Sequence, residues 1–95
     1  MGGLDNGVEK KYYTYILRCR DKTLYTGYST DMERRVWEHN NSKRGAKYTK
    51  SRLPVYLEYY ETFQDRSSAM KREYEIKRLS KEEKEKMIRG GVKNE

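Results

Sequence analysis

With 95 residues and a net charge of +7, the chain has room for one domain with a thin core, and Leu, Ile, Val and Phe are scarce enough that ten Tyr and one Trp must supply much of the buried surface. The surplus of 22 Lys+Arg over 15 Asp+Glu suits a polyanionic partner, nucleic acid before anionic membrane, because no strong apolar helix face opposes the basic residues. A single Cys19 excludes an internal disulfide and a cysteine-based zinc cluster, and with no membrane-length apolar run and no signal-peptide core near the start, the expected compartment is the cytoplasm.

Residues 1–10 are small, polar and glycine-containing and read as a disordered lead. Residues 11–89 read as a single domain, and 90–95 as a frayed tail. The run from Tyr12 to Cys19 is aromatic and aliphatic without a breaker, which favours a strand. Tyr13, Tyr15, Leu17 and Cys19 share one face of it, and Tyr12, Thr14, Ile16 and Arg18 the other. The polar Arg20–Thr23 segment is short enough for a hairpin loop, so Leu24 to Tyr28 is expected to pair antiparallel with the first strand. Gly27, inside that second strand or at its end, marks a bulge or a close backbone approach.

Thr30-Asp31-Met32-Glu33 fits a capping box with Thr30 as N-cap, and predicts a helix to about His39 or Asn40. Arg35 and His39 are four apart and share a face bordering the one that carries Met32 and Val36. Asn40 to Pro54 reads as a loop in which Lys43, Arg44, Lys47, Lys50 and Arg52 surround Tyr48. Basic residues around an aromatic suit phosphate contacts plus stacking on nucleic acid; a solvated charged loop is the plain alternative. Pro54 to Glu61 reads as a third strand, with Phe63 just beyond it. A helix is expected from about Ser67 to Leu79. Ser80-Lys81-Glu82-Glu83 is a second capping box, opening a final helix through Ile88.

Glu73 stands out in the helix at 67–79. At about 100° per residue it falls in the middle of the apolar arc formed by Ala69, Met70, Tyr74, Ile76 and Leu79, whereas Glu75 points away. A carboxylate on an apolar face is costly unless it is satisfied. It can pair with a cation such as Lys77 four residues on, accept hydrogen bonds from tyrosine hydroxyls, or coordinate a metal.

In order, Tyr13-x-Tyr15, Tyr25-Thr26-Gly27, Arg35-x-x-x-His39 and Glu73 resemble the GIY-YIG nuclease domain, in particular its small stand-alone bacterial members related to the N-terminal nuclease domain of UvrC. The resemblance covers about Tyr12 to Leu79, with further likeness in Gly45-Ala46-Lys47-Tyr48-Thr49 and Asp65-Arg66-Ser67. It implies an α+β fold, a small three-stranded antiparallel sheet flanked by helices, in keeping with the β-β-α-β-α-α order read from the chain. Tyr13 and Tyr15 then belong to the first motif, and Tyr25 and Gly27 to the second. Arg35 matches the family's helix arginine, and His39 falls where members carry tyrosine or histidine. Glu73 matches the glutamate that holds one divalent metal, Mg²⁺ or Mn²⁺. Two positions depart from the pattern: Tyr28 stands where members often carry lysine, and no asparagine follows Glu73 before Asn94.

The implied reaction is divalent-metal-dependent hydrolysis of phosphodiester bonds in DNA, on repair or branched intermediates. Arg35 would hold the non-bridging oxygens, and the metal on Glu73 would stabilise the leaving group. Tyr15 would orient or deprotonate the water with help from Tyr25 or His39. No small-molecule cofactor is implied, and a protein partner supplying substrate specificity has room beside so small a unit. Two other readings stand beside the nuclease: a nucleic-acid-binding module with vestigial activity, and a protein–protein adaptor. Tyr15 and Tyr25 as packing residues and His39 as a helix C-terminal cation are the corresponding plain readings of the site.

Overall fold

A computed structural model describes residues 11–91. The expected lead at 1–10 and residues 92–95 of the expected tail lie outside the described residues. The first strand, β1 (Tyr12–Cys19), is central. Strand β2 (Leu24–Ser29) pairs with it antiparallel on one side and β3 (Val55–Phe63) antiparallel on the other, giving the order β2-β1-β3. The β1–β2 turn is closed by Asp21, whose carboxylate accepts from the Thr23 amide (3.1 Å) and hydroxyl (2.6 Å).

Both faces of this sheet are covered. On one face Tyr15, Leu17, Cys19 and Val55 pack under Met32 and Val36 of α1 (Met32–Asn41). On the other, Ile16 and Tyr59 pack against Ile76 of α3 (Arg66–Lys77) and against Met87 and Ile88 of α4 (Lys81–Gly90). Each fully buried aliphatic side chain of this kind contributes about 1.5–3 kcal/mol. The two faces of β1 divide as alternation requires. Thr14, on the second face, donates to the Ala69 carbonyl at 2.6 Å and docks α3 on the strand.

Strand β3 does not alternate throughout. Ile16 pairs with Tyr59 but Leu17 with Leu57, so Glu58 is an extra residue at a bulge. Val55 therefore packs toward α1, while Tyr59 packs toward α3 and α4. Glu58 accepts from Arg18 Nε (3.2 Å), whose remaining guanidinium nitrogens form a bidentate pair with Glu85 of α4 at 2.6 and 2.8 Å.

Several boundaries differ from the sequence expectation. The N-cap of α1 is Asp31, not Thr30: its carboxylate accepts from the Arg34 amide at 3.1 Å. A carboxylate here also offsets the helix's amino-terminal partial charge. The helix runs to Asn41, and the segment after it is not all loop, because Lys47–Lys50 form a single turn, α2. Asp65 caps α3 by accepting from the Ser68 amide at 2.7 Å. The capping box of Ser80 and Glu83 is formed in full, and α4 continues to Gly90. Strand β3 extends through Phe63.

The apolar arc on α3 also shifts. Met70 and Tyr74 are exposed, and the buried positions are Ala69 and Ile76 with Leu79 beyond. Glu73, about 40° from Ala69, thus stands at the border of the buried stripe rather than at its centre. Its side chain keeps 17% of its surface exposed.

A candidate active site at the edge of the sheet

Gly27 determines how the site is built. It lies directly opposite Tyr15 in the β1–β2 ladder, and the Tyr15 ring crosses it. A Cβ added at Gly27 would sit 2.5 Å from Tyr15 Cζ and closer still to the hydroxyl. Only glycine lets the phenol pass over the edge strand, the close approach that its position in the strand implied.

Beyond Gly27 the Tyr15 hydroxyl meets His39 Nε2 at 3.0 Å. Both residues are 1% exposed. The Tyr25 ring stands edge-on to His39 with centroids 5.5 Å apart. The other ring nitrogen, His39 Nδ1, is 3.0 Å from Thr49 Oγ1 in α2, and Thr49 in turn donates to the Ala46 carbonyl at 2.9 Å. That last bond uses the only proton on Thr49, so its oxygen accepts from Nδ1–H. The lone pair of Nε2 is then left facing the Tyr15 hydroxyl, which donates. The Ala46 amide at 3.4 Å from Nδ1 is too long to overturn this arrangement.

The electrostatics match neutral partners. Burial pushes the Tyr15 phenol up to about 12; the neighbouring Arg35 guanidinium works against this, and Tyr25 and Glu73 add to it. Burial, and then Arg35, pull the His39 imidazole down to about 4. His39 is therefore not the solvated helix C-terminal cation that its sequence position permits, because desolvation disfavours its charged form.

Arg35 projects from α1 toward the same place, with one guanidinium nitrogen bonded to Glu38 (3.0 Å) and to the Arg44 carbonyl (2.9 Å). The loop is held down at a second point by Gly45, where a Cβ would come within 2.9 Å of His39 Cα. Glu73 approaches from α3 on the opposite face of the sheet and is paired with Lys77 Nζ at 3.1 Å, so the intrahelical partner is present. Tyr13 lies away from this cluster, edge-on to Tyr60 at 6.0 Å.

The basic segment divides into two kinds of residue. Lys43, Arg44, Lys47 and Lys50 are exposed. Arg52 is engaged internally: its guanidinium lies 3.9 Å from the Tyr48 ring centroid, pairs with Asp21 at 3.1 Å and donates to the Tyr48 carbonyl at 2.7 Å. Tyr48 is itself stacked on Tyr25 at 6.0 Å, so the loop's aromatic residue belongs to the wall of the site. The sequence names Thr49 only within the Gly45–Thr49 run that resembles the family, with no role of its own. A threonine in a basic loop carries no periodic signal, and only the packing of α2 on α1 puts it beside His39.

Among the described residues no group of three or more His, Cys, Asp or Glu side chains can hold a metal. A single carboxylate still suits Mg²⁺ or Mn²⁺, which commonly take one or two carboxylates and complete their shell with water and substrate phosphate. The Glu73 carboxylate already takes a positive partner, the Lys77 ammonium. The donor set therefore fits one hydrated divalent ion on Glu73. No helix among the described residues is long and apolar enough to cross a membrane.

Comparison with known proteins finds relatives over most of the chain. The family model described as the GIY-YIG catalytic domain matches residues 11–86. The UPF0213 protein SH2523 of Staphylococcus haemolyticus is 56% identical over 78 residues, covering 82% of this chain and 94% of that protein. The UPF0213 protein HQ_3675A of Haloquadratum walsbyi is 51% identical over 81 residues, covering 85% and 90%. Among solved structures, the solution NMR structure of protein EF2693 from E. faecalis superposes with a TM-score of 0.58 at 42% identity, covering 85% of each chain. That of the UPF0213 protein BH0048 from Bacillus halodurans gives 0.53 at 45% identity, covering 82% of each.

Proposed function

The chain belongs to the GIY-YIG catalytic-domain family, and from that premise we propose that it is a divalent-metal-dependent endonuclease that hydrolyses phosphodiester bonds in DNA, on repair or branched intermediates. The observation that carries this reading is the hydrogen bond between Tyr15 and His39, made where Arg35 and Glu73 both bear on the phenol.

Hydrolysis needs a deprotonated water, a grip on the non-bridging oxygens and relief of charge at the leaving oxygen. A phenol with a pKa of about 12 is a poor base unless its own proton has somewhere to go. Nε2 of His39 is that destination. As Tyr15 Oη takes a proton from the attacking water, it passes its own to Nε2, and the Nδ1–H bond to Thr49 keeps the ring in the accepting tautomer. The imidazolium so formed lies near Arg35 and is disfavoured until negative charge develops on the phosphorane. Arg35 supplies the planar fork for that charge. A divalent ion on Glu73 would supply Lewis-acid stabilisation at the leaving oxygen. Lys43, Arg44, Lys47 and Lys50, exposed beside the site, would follow the strand's phosphates.

The same burial favours a second reading, a nucleic-acid-binding module with vestigial activity. Tyr15 and His39 are closed to solvent and their ionisations are driven apart, so the free protein is not primed. Cleavage of a panel of linear, flapped and branched DNA and RNA with Mg²⁺ or Mn²⁺ separates the two. A nuclease cuts as wild type and loses activity in Tyr15→Phe and Glu73→Ala. Binding without cutting across the panel selects the second reading, and cutting that survives both substitutions rules out the assigned site.

A further inference from the structure

On the outer edge of β2, next to Tyr25, a cavity of about 230 Å³ is lined by Leu24, Tyr25, Thr26, Tyr48, Lys77 and Lys84. Two of its features lack a structural explanation. Thr26 is 2% exposed, and its Oγ1 is a buried side-chain oxygen with no hydrogen-bond partner. Such an atom ordinarily costs about 1–3 kcal/mol. Lys84 is half-buried, and among the described residues no carboxylate pairs with it. Lys77 lines the cavity from α3 and Lys84 from α4; of the five acidic side chains on these two helices (Glu73, Glu75, Glu82, Glu83 and Glu85), Glu73 pairs with Lys77 and none pairs with Lys84. Burial, and then Lys77, lower the pKa of Lys84. A half-buried lysine with no carboxylate on it, a second lysine lining the same cavity and an unpartnered buried hydroxyl suit an anion with several acceptor oxygens. The Leu24 side chain and the stacked Tyr25–Tyr48 pair give the cavity an apolar wall of the kind that takes the edge of a sugar.

We propose that this cavity is a second backbone subsite, in which Lys77, Lys84 and Thr26 hold the phosphate of a nucleotide adjacent to the phosphodiester being cut. The inference rests on the nucleic-acid reading above and extends it. The strand enters over the exposed lysines of the 43–50 segment, passes Tyr15 and Arg35, and leaves over the β2 edge into the α3–α4 notch. In the metal-free protein Lys77 pairs with Glu73, and the neighbouring phosphate offers the same ammonium a second anionic partner.

The test is binding of a short single-stranded deoxyoligonucleotide in EDTA, followed by fluorescence anisotropy across a range of salt. Lys84→Met keeps the aliphatic stem and removes the charge; Lys86→Met makes the same change at an exposed position on the same helix. The expected result is affinity about three- to tenfold lower for Lys84→Met, with a salt slope shallower by about 0.7, the value of one phosphate contact on single-stranded DNA. Lys86→Met should match wild type. Amide shifts of Thr26, Lys77 and Lys84 should move on titration with thymidine 3′,5′-bisphosphate and only weakly with inorganic phosphate. Equal affinities and slopes for the two variants, with wild type binding the strand, would overturn the subsite and leave the nuclease reading intact. Inorganic phosphate saturating these amides as tightly as the bisphosphate would make it a free-anion site instead. Failure of the wild type to bind any strand would overturn both readings together.

Discussion

Tyr15 lies across Gly27, and the missing side chain at 27 is what lets the phenol reach His39. Gly27→Ala is therefore expected to do more than remove conformational freedom. The new methyl group overlaps the Tyr15 ring, so the ring must tilt off the strand or the β1–β2 ladder must open. Overpacking of this kind costs about 1–3 kcal/mol. The urea midpoint should fall, and cleavage should fall further than stability alone explains, because Tyr15 loses its partner. A variant with unchanged stability and activity would show that the ring does not need the glycine.

Thr49 sets the tautomer of His39. Thr49→Val preserves shape but leaves Nδ1–H and the Ala46 carbonyl without their shared hydroxyl, at a cost of about 1–3 kcal/mol. The valine variant should populate the Nε2–H tautomer, which ring-nitrogen NMR reads directly, and should lose activity. Thr49→Ser should restore both. An unchanged tautomer in Thr49→Val would mean that Tyr15 rather than Thr49 orients the ring.

The two parts of the site differ in how far they could be read from sequence. Alternation gives the face of Tyr15 and the four-residue spacing the shared face of Arg35 and His39, the resemblance implies that they share a site with Tyr25, and the four side chains do lie together. Local patterns are legible because they repeat within one element. Glu58 has no such signal. Its bulge turns Tyr59 from the α1 side to the α3–α4 side, and it is settled by packing on both faces of the sheet. The Arg18–Glu85 pair joins residues far apart in the chain and is invisible to any window. The arc on α3 differs for a related reason: Met70 and Tyr74 look like core residues by type, but the sheet leaves them outside its footprint.

Burial of His39 should appear in the pH dependence of stability. Its folded pKa of about 4 lies below the ordinary 6.5. Between those values the unfolded chain binds a proton that the folded protein refuses, so stability falls as the pH drops from about 6.5 toward 4. At 1.36 kcal/mol per unit the full effect is on the order of 3 kcal/mol. Glu85 acts in a lower window. Its carboxyl is held near 2, first by Arg18 and then by Lys81, so its contribution fades only as the pH falls from about 4.5 toward 2. Urea midpoints measured across both windows should show two separate slopes, and His39→Gln should remove only the upper one. A flat profile between 6.5 and 4 in the wild type would contradict a buried neutral imidazole.

On the proposed function, Lys77 competes with the metal for Glu73. The ammonium lies 3.1 Å from the carboxylate that the proposed ion would use, so the two cations repel and the lysine opposes the ion's entry. The lysine is half-exposed, so the pair is worth at most about 1 kcal/mol and holds the carboxylate loosely. Lys77→Met should thus raise affinity for Mn²⁺ by about two- to fivefold, the equivalent of that energy. Glu73→Gln should abolish uptake at the same concentrations. Both are measured by titration calorimetry or by water-proton relaxation of Mn²⁺, without substrate. If Glu73→Gln binds Mn²⁺ as wild type does, the ion sits elsewhere. If Lys77→Met binds no more tightly, the ion pair is not what limits its entry. The lysine then matters only for the strand, and its loss should weaken oligonucleotide binding without altering the metal.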